Sequence, residues 1–398
     1  MTQRPHLRSS DVWRELLPDA VAVIGSAPWS APAALDHFGD PDGERVALLQ
    51  GEPVMVPRLA AGHLRLTGGD RVGFVQGLMS QDIATPTLGF AVDSLLLDHR
   101  GQPQAGLMVL RRENDIYLAV EDGASDTVAQ KFEAQIIFDD VQLQRLDEQL
   151  IQLTLIGAEV TLKRHLVELW SALAEPLEAA LAHLAQGGLK AAIPVAGAPS
   201  GVGRSLVFAR RFGPHLSLDL HLLAADLQSA YPHLLRLGFR PVGERALTAG
   251  RVAYTIASPF AEGGLGLPQE SGLEGRVSYR KGCYLGQEIM ARVEARGNLR
   301  RSLQPIRLEG APPGLGIAQA WKLLDGEGRA IGDLRSLAPA ADGEGWWGLA
   351  VVRRDAADAA VAAADRWPWL VQVSEGSERL RMPAPAIRAG LRTAPLSC

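Results

Sequence analysis

Three short apolar runs succeed one another with little between them: AVDSLLLD at 91–98, AGLMVLRR at 105–112 and IYLAVE at 116–121, with HRGQ and REND at the junctions. Runs of this length and composition read as strands, and the Gly, Asn and Asp clusters as turns. Connections this short leave no room for the crossover helix of a βαβ unit. The neighbouring segments fit the same picture. HLRLTG alternates like a strand. GDRVGFVQGLMSQDI follows it as a helix, with Asp70 as N-cap and Val72, Val75 and Met79 at helical spacing. SDTVAQKFEAQIIF reads as a helix capped by Ser125 or Asp126, and VQLQRL as a closing strand. Before all this, residues 1–60 are loosely patterned, with a short helix expected at DVWRELL.

A second unit starts at QLIQLTLIG, a strand leading into the helix AEVTLKRHLVELW. EPLEAALAHLAQ is a further helix, stopped by Gly187-Gly188. AAIPVAGAPSGVG reads as a loop, SLVFARR and HLSLDLHLL as strands, and AADLQSAYPHLLRLG as a helix kinked or restarted at Pro232. Strands and helices mix without strict βαβ order, which predicts α+β packing. After Arg300 the texture changes to strands and Gly-rich turns, a small antiparallel barrel or sandwich of about 100 residues. The Ala-rich RRDAADAAVAAADRW is a surface loop or short helix. With 398 residues, two or three domains are expected, each able to bury a core.

No apolar run is long enough to span a membrane. The opening MTQRPHLRSSDVWRELLPDA lacks the apolar stretch of a secretory signal, and its acids argue against a transit peptide, so a cytoplasmic location is expected. Two cysteines, Cys283 and Cys398, make no disulfide framework and are too few to hold an iron–sulfur cluster as usually ligated. No HExxH or CxxC occurs, so no structural metal is expected. The net charge of −5 disfavours nucleic acid as a partner. From Arg276 to Arg307, however, eight basic residues face two acidic ones, a local +6 that leaves −11 for the rest. Two readings stay open there, a solvated helix face with its loops and a site for a carboxylate or phosphate.

Inside that segment lies RKGCYLGQEIMAR, residues 280–292. Leu285, Ile289 and Val293 mark one helix face, with Gly297-Asn298 as a stop. Gly282 and Gly286 permit positive φ just ahead of the helix. Cys283 then sits about a turn before a helix N-terminus with Lys281 close by, and both features favour a thiolate. Glu288 and Arg292 form an i, i+4 pair, and Arg296 extends that face. A buried, inert cysteine in a Gly-rich turn is the alternative.

KGCYLGQE matches at every fixed position the K-G-C-Y-x-G-Q-E signature of the YgfZ-type folate-binding proteins, which it therefore resembles. LTGGDRVGFVQGLMSQDI, LLLDHRGQ, LTAGRVAY with its Arg251, VEARGNLRRSL, IGDLRSL and GLAVVRR resemble further segments of the same superfamily, collinearly over roughly residues 40–355. That superfamily includes the glycine-cleavage aminomethyltransferase, the T-protein. The resemblance implies two interleaved ferredoxin-like α+β domains and a C-terminal β-barrel, three domains around a central folate cavity. The boundaries expected are 1–148 completed by 241–300, then 149–240, then 301–398. It also implies tetrahydrofolate as cofactor and a role with iron–sulfur enzymes or assembly factors, including enzymes that modify tRNA. Cys283 matches the branch's reactive cysteine, and Lys281, Tyr284, Gln287, Glu288, Arg292 and Arg251 are the expected folate contacts, Arg296 being another candidate for the glutamate tail.

The chain departs from the T-protein at two places. Ala105 and Gly106 stand where that enzyme carries an acidic pair, one of which acts on the folate amine, and Pro214 follows Gly213 where it has T-G-E. Without a carboxylate, nothing evident handles a proton on N5 or N10. An accessory protein of iron–sulfur assembly or repair is thus expected rather than a classical enzyme. The alternative, a tetrahydrofolate-dependent aminomethyltransferase or demethylase, needs an acid such as Asp98, Asp93 or Asp82. Direct tRNA binding through the +6 segment is a third reading. Elsewhere, His215, Ser217, Asp219 and His221 share one strand face, read as solvated in preference to a metal site. GVGRS and GGLGL are turns, not phosphate loops, and the C-terminal tryptophans read as core.

Overall fold

The computed structural model describes residues 12–13, 16–17, 34–121, 123–185, 190–194, 205–297, 299–308, 321–325, 327–340, 345–362, 368–375, 378–380 and 387–388. Gly187-Gly188, Asn298, Trp367, Cys398 and the stretch 195–204 lie outside them, as does much of DVWRELL, of which Trp13 is helical and buried.

The fold is α+β. Eleven strands form one sheet: β1 (Val54–Arg58), β2 (Gly62–Thr67), β3 (Phe90–Leu97), β4 (Pro103–Arg111), β5 (Ile116–Val120), β6 (Gln142–Arg145), β7 (Leu150–Gly157), β8 (Lys190–Pro194), β9 (Leu206–Phe212), β10 (His215–Leu223) and β11 (Arg240–Pro241). Their order is β11-β1-β7-β10-β9-β8-β3-β4-β5-β2-β6. All pairings are antiparallel except β1 with β11. β8, expected as loop, is the strand that joins the two halves. β1 comes from the first 60 residues yet pairs with β7 and β11, so the early chain completes the later half of the sheet.

Period-two alternation sorts each strand's residues between two faces. On one face Leu107 and Val109 of β4 and Leu118 and Val120 of β5 pack with Val75 of α1 (Arg71–Leu78) and Phe132 of α2 (Ser125–Glu133). Further along, Leu153, Leu155, Val207, Leu218 and Leu220 pack with Leu166 of α3 (Glu159–Leu169), Leu177 of α4 (Ala174–Ala185) and Leu227 of α5 (Ala224–Arg236). Helix α5 runs unbroken through Pro232. Its carbonyls near the proline ring lose one partner, but Tyr231 and Leu234 are buried on either side and hold the axis. Helix α2 stops at Glu133, five residues short of the expected Phe138, and leaves Ile137 and Phe138 in solvent. Asp70 stands at the N-cap of α1, but its carboxylate accepts from the Asp140 amide instead.

The last strands, β12 (Arg301–Leu308), β13 (Trp321–Leu324), β14 (Ala330–Pro339), β15 (Trp346–Arg353), β16 (Pro368–Glu375), β17 (Glu378–Leu380) and β18 (Ile387–Arg388), make a second antiparallel sheet. Among the described residues no pairing closes it into the expected barrel. The Ala-rich segment forms a helix at Arg354–Ala362. Helix α6 (Glu244–Tyr254) packs Ala249 and Val252 against Ala338 and Leu349 of this sheet. Among the described residues no helix is long and apolar enough to cross a membrane.

Candidate functional site

The large sheet's other face carries the polar chemistry. Gln152 and Thr154 of β7, Arg210 of β9 and Ser217 and Asp219 of β10 alternate with core leucines and line a cavity of about 160 Å³. Glu121, just past β5 on the face of Tyr117 and Ala119, lines it too, with Arg58 of β1, Glu244 and Arg251 of α6, the 256–259 segment and Arg276. The face read as solvated from His215, Ser217, Asp219 and His221 is therefore interior: the last three are buried. No metal-binding group of three or more His, Cys, Asp or Glu occurs among the described residues.

Five arginines and three carboxylates line this space. Arg210 Nη2 lies 2.5 Å from Asp219 Oδ2, and Thr154 Oγ1 donates to Asp219 Oδ1 at 2.8 Å. Arg276 Nη1 donates to Glu121 Oε1 at 3.0 Å, and Arg58 approaches Glu244 at 3.4 Å. Burial opposes charge on Arg210 and Arg276, but the carboxylates Asp219, Glu121 and Asp93 outweigh it and hold both above the usual guanidinium range. Arg251 sits deeper. Its Nη1 donates to Glu262 at 3.0 Å and to the Ile256 carbonyl at 3.2 Å, and Nη2 to Ser336 of β14 at 3.1 Å. Arg211 pairs with Glu159 at 2.7 Å, so each of the five guanidiniums has a carboxylate partner, and a ligand would share or exchange these pairings.

Of the acids named from sequence, only Asp93 belongs to this neighbourhood. Asp98 closes its own turn by accepting from the amides of Arg100 and Gln102, and Asp82 accepts from Gln76 and the amides of Ala84 and Thr85.

The KGCYLGQE segment forms an anchored turn. Helix α7 (Gln287–Arg296) starts after Gly286, whose φ is +84°, and ends at Gly297 with φ +60°. A Cβ on Gly286 would lie 2.7 Å from the Asp98 carbonyl oxygen, so glycine lets this turn pack against the β3–β4 turn. Gly282 has no positive φ, contrary to expectation. Lys281 points inward. Its ammonium donates to the carbonyls of Gln76, Met79 and Gln81, capping the end of α1, and lies 4.9 Å from the centroid of the Tyr284 ring. Burial brings the lysine down to about 8, against the pull of Asp82. It is thus an anchor for the turn, not the thiol's counter-ion. Gln287 accepts from the Tyr284 amide at 3.3 Å and closes the turn locally. Tyr284 is buried with Met290, whereas Leu285, expected on the apolar face, is exposed. Glu288 and Arg292 pair with each other on the exposed face. Between these supports Cys283 is exposed. It is not among the cavity-lining residues, and of the expected folate contacts only Arg251 is.

Sequence reasoning missed a buried trio joining the two halves of the sheet. The Tyr117 hydroxyl lies 2.7 Å from Nδ1 of both His63 and His221. One hydroxyl donates once, so one imidazole accepts and the other donates, and both are neutral. Burial pulls His63 down to about 4, against the charge of Asp147, and His221 well below its usual value. A histidine depressed in the fold but ordinary in the unfolded chain stabilises above about pH 6.5 and loses that contribution as pH falls toward 4. The urea midpoint should fall between pH 6.5 and 5; a flat midpoint there would contradict the neutral trio.

No family model matches the chain. It is similar to the mitochondrial iron-sulfur cluster assembly factor IBA57 of Mus musculus, 39% identical over 95 residues, which is 23% of this chain and 25% of that protein. The Homo sapiens counterpart is 37% identical over 91 residues. The chain spans about a quarter of the length of these relatives. A chloroplastic putative transferase of Arabidopsis thaliana is 23% identical over 345 residues, 85% of this chain and 74% of that one. Among solved structures, the glycine cleavage system aminomethyltransferase T of Bartonella henselae superposes over 92% of this chain and 94% of its own, with a TM-score of 0.67 at 14% identity. That likeness shows the fold.

Proposed function

We propose that this chain, which has the fold of a glycine-cleavage aminomethyltransferase and a turn that resembles the YgfZ-type signature, is a folate-binding accessory protein of iron–sulfur cluster assembly or repair. The observation that carries the reading is the presentation of Cys283. A lysine, a glutamine and a left-handed glycine hold one short turn, and the thiol is exposed on it, beside Leu285. Such a thiol, as its thiolate, can bind iron, or attack the S–S bond of a persulfide or disulfide on a client enzyme or assembly factor, taking the sulfur or forming a mixed disulfide as the partner's thiolate leaves. Enzymes that modify tRNA are among the clients we include. The cysteine usage suits a reducing compartment such as the cytoplasm.

Tetrahydrofolate is the proposed cofactor of the arginine-lined cavity. The residues present fit it in kind: Glu121 and Asp219 accept N–H groups, and Arg58 and Arg211 suit carboxylates that replace their present partners Glu244 and Glu159. At about 160 Å³ the space is below the roughly 300 Å³ of ordinary ligand sites, so it encloses the ring system while the glutamate tail lies toward the mouth. The reading includes three domains disposed around this hollow. Titrating tetrahydrofolate into the protein should raise its melting temperature, since a ligand that binds only the folded state stabilises it. At a hundred times the Kd the gain is about 2.7 kcal/mol. No shift at millimolar ligand would remove folate from the proposal.

The transferase alternative draws on Asp93, which the sequence offered and which acts on Arg210 and Arg276, and on the cavity carboxylate Asp219. Steady exchange of methylene-tetrahydrofolate, lost on mutating Asp93 or Asp219, would replace the accessory reading by an enzymatic one.

A further inference from the structure

We propose that Arg335 anchors an oxyanion site on the C-terminal sheet, completed by Arg301 and Lys322, that takes a phosphate or carboxylate group. None of the three lines the cavity, and the site depends neither on folate nor on Cys283. Among the described residues, Nε and Nη2 of Arg335 are sealed from solvent and have no hydrogen-bond partner. Other interior arginines differ. Arg45, Arg71, Arg111 and Arg210 leave only Nε without a partner, and their Nη groups meet carbonyls or carboxylates. Nε and Nη2 form one edge of the guanidinium, where two parallel N–H bonds receive two oxygens of a carboxylate or phosphate side by side. A charge shielded in this way is costly until an anion meets it.

The fold sets the position of this edge. Asp333 pairs with Val351 and Leu334 with Ala350, but Ser336 pairs with Leu349, so β14 bulges at Arg335. Opposed residues share a face, and Val351 and Leu349 lie two apart. Asp333 and Ser336 therefore come to one face, with the extra residue between them. Asp333, Glu262 and Arg301 all act on the Arg335 charge through space. Both carboxylates already have partners. Asp333 takes Arg301 Nη1 at 3.3 Å and the Lys322 ammonium, and Glu262 takes Arg251 and the Ser336 hydroxyl. Four cations thus share two carboxylates, a surplus that suits an anion. Arg301 and Lys322 each use one donor on Asp333, and their side chains are 40% and 48% exposed. Their other N–H groups are open to a ligand whose first two oxygens sit on the Arg335 edge.

Calorimetric titration of the full chain with inorganic phosphate and with acetate, at an ionic strength fixed with sodium chloride, tests this in wild type, Arg335→Lys and Arg335→Met. Wild type should bind at least one of the two anions, and the tighter one names the group. Lysine keeps the charge but lacks the two-pronged edge, so affinity should fall by about tenfold or more. Methionine should abolish binding. Its ligand-free urea midpoint should match or exceed that of wild type, because the unpartnered charge is gone. Wild type that responds to neither anion beyond the chloride control would overturn the site. So would an Arg335→Lys variant that binds as wild type does. A lower ligand-free midpoint in Arg335→Met would also count against it, since the guanidinium would then have its partner within the chain.

Discussion

Replacing Cys283 by serine should abolish support of iron–sulfur enzymes while leaving the protein's stability unchanged. The two halves of this expectation have separate physical grounds. Cys283 is exposed on a turn whose geometry comes from its neighbours, so exchanging sulfur for oxygen removes no buried contact. Exposed substitutions of this kind stay within about 0.5 kcal/mol. The chemistry is lost because the thiolate is the nucleophile and soft metal ligand, and a serine hydroxyl is neither at neutral pH. The check is complementation of a strain whose cluster-dependent enzymes fail without the protein, together with the urea midpoint of the variant. Loss of complementation with an unchanged midpoint supports a chemical role for the thiol. Full complementation by the serine form would take the cysteine out of the mechanism, and the anchored turn would then be a docking shape only.

The contrast between this turn and the cavity shows what a single sequence makes legible. The turn is contiguous, so its glycines, lysine and cysteine can be weighed together within one short window of residues. Even so, the role of Lys281 escapes a local reading, because its three carbonyl partners lie some two hundred residues earlier in the chain. The cavity is assembled from β1, β7, β9, β10, the end of β5 and two later segments, and no stretch of sequence contains it. Its signal is present in scattered form. Gln152, Thr154, Arg210, Ser217 and Asp219 are polar residues at alternate positions of otherwise apolar strands. Read strand by strand, that alternation signifies a solvated face. It means the opposite where strands are central to a large sheet and the polar face is itself covered, as the buried Ser217, Asp219 and His221 demonstrate. The short helices and most strands are legible from periodicity. β8 is not, because its Lys-Ala-Ala-Ile-Pro carries little strand character and takes its conformation from β3 and β9 on either side.

Arg251→Met should be strongly destabilising, lowering unfolding free energy by about 3–5 kcal/mol. Glu262 is fully buried, and Arg251 is its cationic partner at 3.0 Å. The remaining hydrogen-bond donors, the Ser258 amide at 2.7 Å and the Ser336 hydroxyl, are neutral, and Arg335 acts on Glu262 only through space, without a hydrogen bond to it. Methionine fills much of the arginine's volume, so the cost reports the stranded charge more than a void. Because Ser336 belongs to β14 and Arg251 to α6, the network also fastens the C-terminal sheet to the rest of the molecule. Urea unfolding should therefore show that sheet released at a lower midpoint in the variant. The double variant Arg251→Met with Glu262→Gln should recover most of the loss, since neutralising the glutamate removes the charge that arginine had to offset. A double variant as unstable as the single one would mean that the arginine's contacts to Ile256 and Ser336, not its charge, hold this junction together.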